Sequence, residues 1–150
     1  MITPMGTAQK KTVAVIGLGY VGLPLAVRAV ERGYTVIGFD THAEKVEVLK
    51  KKKSPIEDQY LIDNIPKFPF EATTDASRLA DADIVLICVP TPVDEMYYPD
   101  LEPVISAATV SAEHLKKGAL VVLESTVNPG VSEEVIRPIF EEHGHKLGKD

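Results

Sequence analysis

A glycine-rich segment follows the first apolar run of the chain and carries the residues best suited to bind a ligand. Gly17, Gly19 and Gly22 come directly after the run 12–16, with G-x-G-x-x-G spacing. In this motif the first glycine takes a tight turn, the second lets backbone approach a pyrophosphate, and the third lets a helix pack closely on its strand. A diphosphate then binds the N–H groups at the helix N-terminus. The segment therefore predicts a dinucleotide site.

An acidic residue, Asp40, closes the second apolar run, 35–39. In dinucleotide-binding folds an acid about 20 residues beyond the glycines accepts hydrogen bonds from the adenosine ribose hydroxyls. Its charge would repel a 2′-phosphate, which favours NAD over NADP. Glycines alone also serve ordinary turns, so the flanking strand, helix and acid supply most of the specificity. SAM-dependent methyltransferases share part of this pattern and remain an alternative on these residues alone.

Apolar runs alternate with segments of helical periodicity along the rest of the chain. This alternation predicts an α/β fold, a doubly wound parallel sheet of the Rossmann type, with strand order 3-2-1-4-5. A complete fold of this type has a sixth strand, and only 146–150 follow His145, so we expect truncation near the last strand. The predicted strands are about 12–17, 35–39, 70–73, 84–89 and 119–123, and the predicted helices about 20–32, 42–52, 75–79, 101–115 and 131–143.

The 150 residues are enough for one domain with a substantial core. Residues 1–11 are polar and predict a flexible leader, so the domain is expected over 12–150. Three prolines interrupt residues 54–69, which predicts a long loop that can include one helical turn. In the last predicted helix, Pro138 predicts a kink.

Composition excludes several classes of function. The net charge of −6 would repel a nucleic-acid backbone, so we expect no nucleic-acid partner. No apolar run approaches the roughly 20 residues that span a bilayer, and the N-terminus lacks a signal peptide's pattern. We therefore expect a cytoplasmic protein without membrane contact. No histidine has a spacing that completes a metal site, so none is predicted.

The single cysteine, Cys88, rules out an internal disulfide. It lies in a continuously apolar strand pattern, and buried free cysteines usually act as small apolar residues. Reactive thiols need an exposed, electropositive setting. We therefore predict a core role for Cys88 and not a catalytic one.

Two further loops follow the predicted fourth and fifth strands, at residues 89–92 and 124–130. Ligands of doubly wound sheets bind outside the carboxyl ends of the strands, where the strand order reverses. Both loops should therefore meet the glycine segment there. Their prolines preset extended shapes, and Thr91 and Thr126 offer hydroxyl groups. Tyr97 and Tyr98, in the loop that follows residue 92, could either cover the cofactor or pack that loop down.

Taken together, these motifs resemble the UDP-glucose/GDP-mannose dehydrogenases, a family of nucleotide-sugar 6-dehydrogenases. The resemblance extends over most of the chain after the leader, and the joint presence of the motifs is more specific than any one of them. Within the family, the pattern is most similar to that of the enzymes acting on UDP-N-acetylhexosamines. The matching segments are GLGYVGLP (17–24), Asp40 with Lys45, VPTP (89–92), PDL (99–101) and ESTVNPG (124–130).

The resemblance implies NAD as the cofactor and assigns it a set of contacts. It implies contacts from Tyr20 and Val21 at the helix start and from Asp40 and Lys45 around the adenosine ribose. Further cofactor contacts are implied for the two later loops, where Thr126 also lies near a catalytic water. The complete cofactor set is Gly17, Gly19, Tyr20, Val21, Gly22, Asp40, Lys45, Val89, Pro90, Thr91, Glu124 and Thr126.

The resemblance also implies a reaction for the longer parent protein of which this chain would be one domain. That reaction is a step of polysaccharide biosynthesis. The family oxidises the C6 alcohol of a UDP-sugar to the uronic acid with two NAD, through a covalent intermediate on a cysteine. That cysteine belongs to a C-terminal region whose motifs are absent from these 150 residues. The chain is thus expected to bind NAD and to be inactive alone, and the parent to be a homo-oligomer. A self-standing NAD-binding or regulatory module is the second alternative.

Overall fold

The computed structural model describes residues 10–67 and 69–149, and β1 begins at Thr12 as predicted. The leader predicted for residues 1–11 lies outside the described residues except for Lys10 and Lys11, which are exposed. In the described part of the chain, strands and helices alternate as the sequence predicts.

Five strands form one sheet in which every pairing between neighbours is parallel. Its order is β3-β2-β1-β4-β5, which confirms the predicted order. Central β1 pairs on both sides, with Val13 opposite Val36 of β2 and Ile84 of β4. The strands are β1 (Thr12–Ile16), β2 (Thr35–Phe39), β3 (Glu71–Thr73), β4 (Ile84–Ile87) and β5 (Leu120–Leu123).

The helices lie close to the predicted positions, with differences at their ends and in their type, and one helix lies inside a predicted loop. The predicted loop 54–69 contains a longer helix than one turn, and the Asp58 side chain caps it by accepting from Leu61 N–H at 2.9 Å. The segment predicted as a helix at 75–79 is a 3₁₀ helix, Ala76–Asp81. The α-helices are α1 (Gly22–Glu31), α2 (Ala43–Lys50), α3 (Gln59–Asn64), α4 (Glu102–His114) and α5 (Arg137–Glu142).

Strand β4 is two residues shorter than the predicted 84–89. Pro90 has no N–H to donate, so regular pairing cannot continue through it. Cys88 N–H still donates to the Ile16 carbonyl at 2.8 Å, so the backbone leaves the sheet only after this bond. The early departure places Val89 and the prolines after it in the loop at the carboxyl edge.

The predicted kink at Pro138 takes the form of a π-helical turn, Ser132–Ile136, directly before α5. Proline has no N–H, and its ring crowds the carbonyl four residues earlier, that of Glu134. The helix is wider at this point than a regular α-helix, and Arg137 N–H donates to the Ser132 carbonyl five residues earlier. One wider turn thus accommodates a proline that a regular helix would exclude.

Both faces of the sheet are covered, which explains why the strands are continuously apolar. Ala14 and Ile16 of β1 point to one face, where they join a cluster that includes Val104 of α4. Val13 and Val15 point to the opposite face, where the helices are α1, α2 and α3. The outer strand β5 pairs with β4 alone among the described strands.

Candidate cofactor site

Two of the three glycines of the motif are required by the fold, and the third lies in open space. Gly17 has φ +89°, and a Cβ there would lie 2.8 Å from the Cys88 carbonyl oxygen. A Cβ on Gly22 would lie 1.9 Å from the Gly17 carbonyl oxygen, which leaves no room for any side chain. Around Gly19 no atom lies within 4 Å of a built Cβ. Gly17 and Gly22 shape the turn, whereas Gly19 leaves its outer side open for a ligand.

The start of α1 is open to an anion. Gly17 N–H donates to the Phe39 carbonyl at 2.9 Å, and Leu23 N–H donates to the Gly19 carbonyl at 3.0 Å. Of the described side chains, none caps this helix, and its first turn has no acidic residue. The flanking Tyr20 and Val21 are 82% and 53% exposed. The positive end of the helix dipole therefore faces the carboxyl edge, as a diphosphate site requires.

Asp40 is the centre of a hydrogen-bond network and is only 5% exposed. Its Oδ2 accepts from Leu18 N–H at 2.9 Å and from Lys45 Nζ at 2.6 Å. Its Oδ1 accepts from His42 N–H at 3.0 Å and lies 3.1 Å from His42 Nδ1. A carboxylate offers about four acceptor positions, and here each has a partner. The network joins the end of β2 to the glycine turn.

Opposing effects set the pKa of Asp40. Burial raises it, whereas the hydrogen bond from Lys45, the N–H groups of His42 and Leu18, and the Lys45 charge lower it. The net pKa lies below the usual 3.8, because hydrogen bonds and a cation favour the charged form. The carboxyl group is therefore ionised at neutral pH.

Sequence reasoning predicted Asp40 and Lys45 but missed two of their neighbours. Leu18 takes part through its backbone N–H, which no residue type reveals. His42 does have a recognisable signal, because an aspartate commonly accepts from the N–H two residues later in an Asx turn. Its ring is 77% exposed, so the contact lies at the surface of the site.

The loops after β4 and β5 are tied to each other. The N–H groups of Glu124 and Ser125 donate to the Ile87 carbonyl at 2.9 and 3.1 Å, and Ser125 Oγ donates to the Val89 carbonyl at 2.8 Å. Thr126 follows directly and is exposed. Since a Cβ on Gly17 would contact Cys88, both loops lie beside the glycine turn. The structure thus brings the predicted segments together at one edge of the sheet, with Thr91 half-buried and Pro90 exposed.

The loop after Pro92 forms a small hairpin that leaves its tyrosines in solvent. Asp94 N–H donates to the Tyr98 carbonyl at 2.9 Å, and Asp94 Oδ1 accepts from Tyr98 N–H at 2.9 Å. Tyr97 and Tyr98 are 85% and 65% exposed, and Tyr97 has φ +63°. These side chains do not pack the loop down, so that alternative is wrong.

Cys88 is 7% exposed, and burial, together with the charge of Glu124, raises its pKa from 9.0 to about 12. At pH 8 this lowers the thiolate fraction roughly a thousandfold. We expect iodoacetamide to label the folded chain at least about a hundredfold more slowly than the urea-unfolded chain. Mass spectrometry after timed quenching measures both rates. Equal rates would contradict the core role.

Other features of the described residues do not form a competing site. A cavity of about 880 Å³ lies at the opposite edge of the sheet, near the starts of β1, β2 and β3. Charged side chains there neutralise one another, as in the pairs Arg78 with Glu71 and Lys116 with Asp83. Within residues 10–67 and 69–149, no helix is long and apolar enough to cross a membrane. The same residues hold no cluster of potential metal ligands.

Comparison with known proteins assigns the chain to one family. The model of the UDP-glucose/GDP-mannose dehydrogenase family, NAD binding domain, matches residues 11–149. The protein CapL of Staphylococcus aureus is 37% identical over 143 residues, 95% of this chain and 33% of its own length. The UDP-N-acetyl-D-glucosamine 6-dehydrogenase of Pseudomonas aeruginosa is 40% identical over 131 residues, 86% of this chain and 30% of its own length.

The fold has close counterparts among solved structures. The NDP-N-acetyl-D-galactosaminuronic acid dehydrogenase of Methanosarcina mazei superimposes with a TM-score of 0.86 at 35% identity. That match covers 94% of this chain and 33% of the other. The chain therefore spans about a third of the length of the relatives that it matches.

Proposed function

Because the chain belongs to the UDP-glucose/GDP-mannose dehydrogenase family and matches the NAD-binding domain of that family, we propose that it is the domain of a nucleotide-sugar 6-dehydrogenase that binds the oxidant, NAD. The domain is assigned to residues 12–150. Neither alternative, a methyltransferase or a self-standing regulatory module, finds support among the relatives described above. The single observation that carries the proposal is the network joining Asp40, Leu18 and Lys45 to an open helix start.

The residues at this edge fit a dinucleotide. A built Cβ at Gly19 meets no atom within 4 Å, so backbone there is accessible to a diphosphate. The N-terminus of α1 offers N–H groups and a positive dipole end to the same charges. Asp40 is held ionised and can exchange its surface partners for ribose hydroxyl groups. The groups that would bind the diphosphate and those that would bind the ribose hydroxyl groups thus lie side by side at the carboxyl edge of the sheet.

We assign the remaining contacts by their place at the carboxyl edge. Tyr20 and Val21 flank the helix start, and Lys45 holds the adenosine end with Asp40. The loop after β4 contributes Val89, Pro90 and Thr91, and the loop after β5 contributes Glu124 and Thr126. Exposed Thr126 is assigned a water-positioning role. NAD, when bound, accepts a hydride from the substrate; these side chains position it and exclude solvent.

For the longer protein we propose oxidation of the C6 alcohol of a UDP-hexose or UDP-N-acetylhexosamine to the uronic acid, with two NAD. The support is the printed activity of relatives such as the Pseudomonas aeruginosa enzyme. We further propose a homo-oligomeric, cytoplasmic protein without a nucleic-acid partner. The net charge of −6 and the buried, unpaired Cys88 agree with this placement.

Isothermal titration calorimetry of the 150-residue chain with NAD tests the proposal. We expect one NAD per chain and no formation of NADH with UDP-N-acetylglucosamine, because Cys88, the one cysteine of these 150 residues, is buried and cannot reach a substrate. Replacing exposed Asp63 by Asn provides a control that should bind equally well. Absence of NAD binding by a chain with a folded circular dichroism spectrum would overturn the proposal.

A further inference from the structure

His42 occupies an acceptor position on the carboxylate that the cofactor must reach. Its Nδ1 lies 3.1 Å from Asp40 Oδ1. Since an ionised carboxylate only accepts hydrogen bonds, Nδ1 is the donor in this contact. The ring itself is 77% exposed, whereas Asp40 is 5% exposed. The imidazole therefore lies between the carboxylate and solvent.

The other partners of Asp40 are less able to leave. Leu18 N–H and His42 N–H belong to the backbone of the glycine turn and the Asx turn, so neither can leave without local unfolding. Lys45 Nζ lies 2.6 Å from Oδ2 and is only 28% exposed. The His42 ring combines the longest contact with the greatest exposure. It is the group that a hydroxyl arriving from solvent displaces at least cost.

We propose that the His42 side chain is a positioning residue that sets the affinity for the adenosine ribose by competing with its hydroxyl groups for Asp40 Oδ1. The inference rests on the proposed function, because it assigns the ribose to Asp40. Without the ring, Oδ1 keeps one backbone donor and presents an acceptor position to the ligand. Removing the ring thus favours the bound state without creating a new contact.

The test compares the dissociation constant of NAD for the wild-type chain, His42→Ala and His42→Asn by calorimetry. We expect His42→Ala to bind NAD about two- to fivefold more tightly, as the loss of an exposed pair implies. The amide nitrogen of asparagine is as many bonds from Cα as Nδ1, so His42→Asn should restore the wild-type affinity. Unchanged or weaker binding by His42→Ala, or equal tightening in His42→Asn, would overturn the inference.

A ligand without ribose hydroxyl groups separates competition from a general loop effect. For the 2′,3′-dideoxyadenosine analogue of NAD, we expect the same affinity in wild type and His42→Ala, because no hydroxyl has to displace the ring. Equal tightening for this analogue would count against competition. His143→Ala, a change at the exposed end of α5, is the matched control and should leave both affinities unchanged. If every folded chain fails to bind NAD, the proposed function itself is wrong and this inference with it.

Discussion

Gly22→Ala is expected to destabilise the chain by about 3 kcal/mol and to weaken NAD binding more than about tenfold. The added Cβ would lie 1.9 Å from the Gly17 carbonyl oxygen and 3.1 Å from Cys88 Cβ. A backbone oxygen cannot rotate away as a flexible side chain can, so the turn itself must move. Urea unfolding followed by circular dichroism measures the first effect, and calorimetry measures the second.

Gly19→Ala is the matched control for this change. Its Cβ meets no atom within 4 Å, so we expect stability within about 1 kcal/mol of wild type, the ordinary difference between alanine and glycine. NAD binding should still weaken, because the methyl group lies where the diphosphate approaches the backbone. A Gly22→Ala chain as stable as Gly19→Ala would contradict the packing argument.

Asp40→Asn should lower the free energy of unfolding by about 2 kcal/mol at pH 7 and weaken NAD binding at least about tenfold. The amide keeps the volume, but it has one acceptor oxygen where the carboxylate has two. Either Leu18 N–H or His42 N–H then faces a donor, and Lys45 loses its counter-charge. Urea unfolding and calorimetry on the same preparation measure both losses.

The stability loss in Asp40→Asn should depend on pH in a defined direction. The pKa of Asp40 is lower in the folded chain than its usual 3.8. The carboxylate therefore stabilises the fold fully above the usual value, and this contribution disappears as the pH falls through the lower, folded value. The difference between wild type and Asp40→Asn should shrink from pH 7 to pH 3. In the control Asp63→Asn, stability should follow wild type at both values; a constant Asp40 effect would contradict the pKa direction.

Strand order could be predicted from the sequence because buried parallel strands are continuously apolar, and such runs have few alternative arrangements. The glycine spacing and Asp40 likewise predicted one candidate site, and in the structure Leu18 N–H of the glycine turn donates to Asp40. The partners of Asp40 were less accessible. Leu18 contributes a backbone N–H, and the identity of its partner depends on how two turns come together in space.

Local geometry around prolines was also only partly predictable. Pro138 indicated a kink, but whether the helix bends, breaks or widens depends on the packing of its neighbours, and the chain widens by one π turn. Strand β4, which comes before Pro90, is two residues shorter than the apolar pattern predicted. The pattern reports only the hydrophobicity of side chains and does not show that proline lacks an N–H. The end of β4 and the turn before α5 therefore depend on which backbone groups can form hydrogen bonds, and the hydrophobic pattern alone does not show this.

The hydrogen bond from Leu18 N–H to Asp40 links the two segments expected to bind the pyrophosphate and the adenosine of NAD. The turn proposed for the diphosphate and the acid proposed for the ribose form one preorganised unit, so little loop entropy remains to be lost on association. Adenosine and pyrophosphate presented separately would each meet an already ordered surface. The intact dinucleotide should then bind more tightly than the sum of the two separate binding free energies predicts. The difference should come chiefly from the covalent link between the fragments, which gives the second fragment a high effective concentration.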